Sequence, residues 1–182
     1  MQVAYYKSLD FITPEFLNLQ NWSISKDIFR TKDLYSAIAG DTPQSVFSTD
    51  KDLIYIQMAQ VWAKNSYCKR MQVGCLIVKD KSIISDGYNG TPTGFPNTCE
   101  DEENATLSLV LHAEANAITK LAKGTQSSEG STLYVTLSPC FECSKLIIQA
   151  GIKKVVFLEV YRNPEPLWFL AKAGIEIVKL TL

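Results

Sequence analysis

The chain reads as an α/β protein of three layers, in which a mixed five-stranded sheet lies between helices and the last strands run parallel. Three observations predict this. Val73-Gly74-Cys75-Leu76-Ile77-Val78 is a continuous apolar run, which suits a strand buried on both faces. Lys79-Asp80-Lys81 separates it from Ser82-Ile83-Ile84-Ser85, and with Asp80-Lys81 as a tight turn these two strands should pair antiparallel. The later strand-like runs, 133–137, 154–160 and 175–180, are separated by helix-length segments that end at Gly151 and Gly174. Strands joined through a helix run parallel with right-handed crossovers.

In chain order, residues 1–49 read as an N-terminal extension of unknown role. They carry Tyr5, Tyr6, Phe11, Phe16, Trp22, Phe29, Tyr35 and Phe47, too apolar a set for a disordered tail. A short helix over 27–39, capped near Ser25 and ended by Gly40, fits within them. Thr49 or Asp50 can cap the next helix, which carries Leu53, Ile54, Ile56, Ala59 and Ala63. The domain proper therefore spans 50–182. After the first two strands, Gly87-Tyr88-Asn89-Gly90-Thr91-Pro92-Thr93-Gly94 reads as a loop. Glu100 to Glu103 reads as solvated surface. A helix over 112–123 should bury Leu111, Ala115, Ile118 and Ala122. The helix opened by Cys140 should bury Leu146, Ile147 and Ala150, and Gly151 should end it. Pro164 and Pro166 lead into the last helix, through Leu167, Phe169, Leu170 and Ala173.

Composition narrows the function. The net charge of −1 over 182 residues supplies no basic field to draw a polynucleotide, so no nucleic-acid partner is expected. Five cysteines, an odd number, suit a reducing compartment, and a cytoplasmic location is expected. No stretch has the length of a membrane span, and no signal peptide is evident.

Two motifs carry chemistry. His112 is the one histidine of the chain, with Glu114 two residues on, and Pro139-Cys140-Phe141-Glu142-Cys143 opens the next helical segment. Zinc accepts imidazole nitrogen and thiolate sulfur, and a catalytic zinc keeps its fourth position for water. His112, Cys140 and Cys143 supply three ligands, and the i, i+3 spacing of the cysteines sets both thiols on one helix face. A helix N-terminus favours thiolates through its dipole. Glu114 is too near His112 in sequence for a comfortable fourth ligand, but well placed to move a proton. The alternatives are a structural knot, closed by Cys68, Cys75 or Cys99, and a redox Cys-x-x-Cys pair. Neither uses Glu114.

His-x-Glu followed by Pro-Cys-x-x-Cys is similar to the signature of the zinc nucleobase deaminases. From about Asp50 onward the chain resembles the deoxycytidylate (dCMP) deaminases more narrowly. The residues that carry this are the Gly87-Tyr88-Asn89-Gly90 loop, the helix His112-Ala113-Glu114-Ala115-Asn116-Ala117-Ile118, and the segment from Cys143 to Lys153. The resemblance implies zinc-dependent hydrolysis of dCMP to dUMP and ammonia in pyrimidine deoxynucleotide (dTMP precursor) metabolism, with one catalytic Zn2+ per subunit and Glu114 as the proton carrier. It implies that Asn89 meets the deoxyribose and the backbone at Ala113 holds the pyrimidine; Asn89 also suits a left-handed turn residue. It further implies regulation by dCTP and dTTP, with Mg2+ accompanying the triphosphate near Gly87, Tyr88, Gly90 and Lys123, and a homo-oligomer, hexamer or trimer. Lys69, Arg70, Lys123, Lys153 and Arg162 are the candidates for the substrate phosphate. Some relatives hold a second zinc with two cysteines and two histidines. Cys68 and Cys99 fall where those cysteines would be, but no histidine remains to join them. They are therefore expected to be free thiols near each other.

Overall fold

The computed structural model describes residues 50–162 and 164–180. The expectations for 1–49, including the helix over 27–39, lie outside the described residues. The elements are α1 (Asp50–Ala63), β1 (Gly74–Lys79), β2 (Ser82–Tyr88), α2 (Ala113–Leu121), β3 (Thr132–Leu137), α3 (Phe141–Gln149), β4 (Lys154–Glu159), α4 (Glu165–Lys172) and β5 (Glu176–Lys179). The sheet order is β2-β1-β3-β4-β5. β1 is antiparallel to both β2 and β3, whereas β3, β4 and β5 are parallel. The expected mixed sheet with a parallel ending is therefore present. Among the described residues no helix is long and apolar enough to cross a membrane.

Local chemistry explains the start of the sheet. Asp80 and Lys81 both have left-handed backbones, φ 49° and 67°. That is the pair of conformations a two-residue type I′ hairpin requires, and its twist matches that of the flanking strands. β1 is buried on both faces, as its apolar run predicts. Cys75 and Ile77 join a core with Ala113, Ala117, Ile147 and Leu170, beneath α2, α3 and α4. Leu76 and Val78 join a second core with Ile56 and Ala59 of α1 on the opposite face. These two cores make the three layers.

The structure departs from the sequence expectations at the end of β2 and on the buried faces of α2 and α3. β2 runs on to Tyr88, so Gly87 and Tyr88 are strand residues and the loop begins at Asn89. Gly87 is there because α2 sits directly on it: a Cβ would run into the Ala113 carbonyl and the Ala117 amide. That close seat also sets which face of α2 is buried. Ala113, Glu114 and Ala117 point inward, whereas Ala122 is exposed. The face is rotated from the expected one because a polar carboxyl, Glu114, occupies the inner side. In α3 the buried residues are Cys143, Ser144 and Ile147, and Leu146 is exposed. Turning Cys143 inward makes its i+4 neighbour Ile147 the buried one.

Candidate active site

The N-terminal ends of α2 and α3 meet beside the C-terminal end of β3. His112 is the N-cap of α2 and Cys140 the N-cap of α3, both with extended backbones and neither bonding its helix through the side chain. Cys143 lies in the first turn of α3. The approach to His112 is set by a bridge in which Gly90 and Leu111 exchange N–H···O bonds of 3.1 and 2.8 Å. His112 Nδ1 stands 3.4 Å from the Sγ atoms of both Cys140 and Cys143.

Among the described residues these three form the one group able to hold a metal ion, with donor atoms all within 4.8 Å of one another. One nitrogen and two sulfurs, converging from two helix N-termini, fit zinc and leave a coordination position open. The electrostatics agree. Hydrogen bonding from the Cys143 thiol, then from His112, draws Cys140 down to about 3, so it is a thiolate at neutral pH. Cys143 moves in the opposite direction because its thiol donates a hydrogen bond to the Cys140 sulfur and is buried, both of which make it hold its proton. His112 is raised, first by its bond to Cys140. Cation binding would release the protons this cluster holds.

Glu114 is buried in the first turn of α2, and burial lifts its carboxyl from 4.5 to about 7. A carboxyl that titrates near neutrality can both take and give a proton. It lines a cavity of about 690 Å³ together with His112, Cys140, Asn89, Arg70 and Arg162, a volume suited to a nucleotide-sized ligand.

The structure brings Ala113, Asn89, Arg70 and Arg162 to this cavity. Asn89 is not among the described residues with left-handed backbones, so the turn-residue reading fails. Its amide is held instead by neighbouring backbone: Nδ2 donates to the Met71 carbonyl (2.8 Å) and Oδ1 accepts from Val73 N–H (2.8 Å). Lys69, Lys123 and Lys153 do not line the cavity, and neither do Gly87, Tyr88 and Gly90. Gly87 is packed beneath α2, and the Tyr88 carbonyl accepts from Asn116 Nδ2 at 2.9 Å.

The cysteine expectation is corrected. Cys68 and Cys99 are near each other but form a disulfide, Cα atoms 5.1 Å apart. The segment after β2 folds back over residues 66–70, which sets Cys99 opposite Cys68. Glu100 is also not simply solvated: its Oε1 accepts the backbone N–H groups of Lys69 (2.9 Å) and Arg70 (3.2 Å).

Sequence reasoning missed Ser138 and Tyr161. Ser138 N–H donates to the Glu159 carbonyl, and Ser138 Oγ accepts from Tyr161 N–H, both at 2.8 Å. This ties the loop carrying Cys140 to the loop carrying Arg162. The signal was available: in parallel sheets ligands bind beyond the carboxyl ends of the strands, and both residues lie just past β3 and β4.

Comparison with known proteins agrees with this geometry. The family described as cytidine and deoxycytidylate deaminase zinc-binding region matches residues 49–159. The deoxycytidylate deaminase of Enterobacteria phage T4 is 35% identical over 165 residues, covering 67% of this chain and 86% of the relative. The human deoxycytidylate deaminase is 38% identical over 112 residues, covering 57% of this chain and 62% of the relative. The crystal structure of the dCMP deaminase from cyanophage S-TIM5 in complex with dCMP and dUMP superposes with a TM-score of 0.71 at 44% identity, over 74% of this chain and 99% of that one. With a zinc donor set at paired helix N-termini and a buried carboxyl beside it, this chain belongs to the cytidine and deoxycytidylate deaminase family.

Proposed function

We propose that this chain is a dCMP deaminase, hydrolysing dCMP to dUMP and ammonia. The observation that carries the reading is Glu114: a buried carboxyl, raised to about 7, in a cavity that also holds His112, Cys140 and two arginines. His112, Cys140 and Cys143 would hold the zinc. Zinc held there supplies a Lewis acid that makes water acidic near neutral pH. Glu114 takes a proton from water and delivers protons to ring N3 and to the departing amine at C4. Burial of Glu114 keeps its proton affinity near neutrality, so both transfers run without a large energy gap.

Arg70 and Arg162 bind the 5′-phosphate in this reading, since arginine's planar fork matches phosphate oxygens. Asn89 and the backbone at Ala113 meet the deoxyribose and the pyrimidine; the bonds from Asn89 to the Met71 carbonyl and from Val73 N–H to Asn89 pre-orient its amide. The names and the nucleotide complex of the relatives support dCMP among the candidate substrates. The same reading includes a place in pyrimidine deoxynucleotide synthesis, a homo-oligomer, and control by dCTP and dTTP with Mg2+. Gly87, Tyr88, Gly90 and Lys123 lie outside the cavity, which suits an effector that does not compete with substrate.

The test is ammonia release by the zinc-loaded enzyme from dCMP, CMP, dCTP, deoxycytidine and adenosine, with and without added dCTP. The highest kcat/KM is expected for dCMP. A preference for deoxycytidine, which lacks the phosphate, would overturn the assignment.

A further inference from the structure

The Cys68–Cys99 bond has no part in the chemistry above, yet it stands in the cavity wall. Cys68 lines the cavity, as do Arg70, Glu100 and Thr106. Both cysteines are buried, and the bond joins segments 31 residues apart. The polar contacts between these two segments converge on Arg70. Glu100, next to Cys99, accepts the N–H groups of Lys69 and Arg70. The Arg70 guanidinium, through Nη1, donates to Thr106 Oγ1 at 3.3 Å. Thr106 is paired back to Glu100 in a short antiparallel bridge, and Leu107 N–H donates to the Cys99 carbonyl at 2.8 Å. The loop over 99–107 is thus a small hairpin that grips Arg70 at its backbone and at its side chain. The disulfide is the covalent link that holds this hairpin to the segment bearing Arg70.

We propose that the Cys68–Cys99 disulfide is a positioning element for substrate phosphate, acting through Arg70, so that binding of 5′-phosphorylated substrates depends on its redox state. The inference rests on the reading of Arg70 as a phosphate ligand. Without the bond, the polar contacts to Lys69, Arg70 and Thr106 remain, but they are exposed and compete with water. Arg70 then samples several orientations, and fixing it on binding costs affinity. Glu114 and the zinc donors sit on α2 and α3, elements the bond does not touch. The loss should therefore fall on KM and not on kcat.

The experiment compares the air-oxidised, zinc-loaded enzyme with the same enzyme reduced by a water-soluble trialkylphosphine. In that reaction the S–S bond accepts two electrons from phosphorus and two protons from water. The water oxygen becomes the phosphine oxide, and two thiols result. Mass spectrometry after alkylation counts the thiols, and metal analysis follows zinc. On reduction, KM for dCMP is expected to rise about tenfold with kcat changed less than about twofold, while kcat/KM for deoxycytidine stays constant. Cys68→Ser should reproduce the reduced enzyme and no longer respond to phosphine. An oxidised enzyme without this disulfide, an unchanged KM for dCMP after reduction, or an equal loss on dCMP and deoxycytidine would each overturn the proposal. If Cys68→Ser fails to fold, reduction of the native chain still decides. Absence of dCMP turnover in both redox states would instead defeat the functional assignment itself, a distinguishable outcome.

Discussion

Two carboxylates are buried to the same degree, each 4% exposed, yet they serve opposite ends. Asp52, in the first turn of α1, is surrounded by donors. Tyr134 donates its hydroxyl to Oδ1 at 2.6 Å, and Lys154 reaches Oδ2 at 3.0 Å. Lys154 also stands 3.5 Å from Glu176 at the start of β5. Glu114, in the first turn of α2, meets the Cys143 thiol and the zinc donor cluster, and among the described residues no lysine or arginine is paired to it. A buried charge that is paired and hydrogen-bonded stabilises a fold, whereas one left largely to desolvation holds its proton too tightly for an ordinary carboxylate. The first arrangement fastens α1 to the sheet. The second keeps an acid poised at neutral pH, and α/β sheets place such groups beyond the carboxyl ends of parallel strands.

The contrast predicts opposite outcomes when each carboxylate is removed. Glu114→Gln should lower kcat for dCMP by about three powers of ten or more, the range expected for loss of a proton carrier. Zinc content and thermal stability should stay near native. Near-native turnover in the Glu114→Gln enzyme would make Glu114 a merely structural group. Asp52→Ala should do the reverse. It leaves the Lys154 ammonium and the Tyr134 hydroxyl short of a partner and should cost about 3 kcal/mol in denaturant unfolding, with kcat of the folded fraction unchanged. A large fall in kcat at full folding would dissolve the division between the two ends.

Tyr134→Phe is the finer probe. It deletes one hydrogen bond to a charged acceptor and should cost about 1.5–2 kcal/mol at pH 7. Burial first, then the bond to Asp52, raises the Tyr134 pKa well above its ordinary 10. The unfolded tyrosine ionises near 10 and the folded one only higher. The stabilising contribution is thus complete below about pH 10 and is lost as pH rises above it. The advantage of the native chain over the Phe variant should shrink in unfolding curves measured from about pH 9 to 11. An advantage that grows over this range would show that the sign of the linkage is wrong.

Much of this was legible residue by residue. Val73 to Val78 declared a strand buried on both faces because period and composition are local properties. Asp80-Lys81 declared a tight turn, and the helices between the later strands dictated their parallel pairing. His112, Cys140 and Cys143 pointed to a metal donor set, which the fold does bring together, because donor chemistry and short spacing survive packing. Contacts made through space were not legible. The inner face of α2 was misassigned because Glu114, a charged residue, is turned inward, and only the close seat on Gly87 shows it. Five basic residues were equivalent candidates for the phosphate. Folding alone put Arg70 and Arg162, from segments 92 residues apart by their numbers, into one cavity. Cys68 and Cys99 were expected as neighbouring thiols, and whether they bond depends on how the 99–107 hairpin closes over residues 66–70. The chemistry of the site was therefore written in short motifs, where covalent spacing fixes geometry. Its walls and its redox state were decided by tertiary closure, where the relevant distances are set by packing rather than by position along the chain.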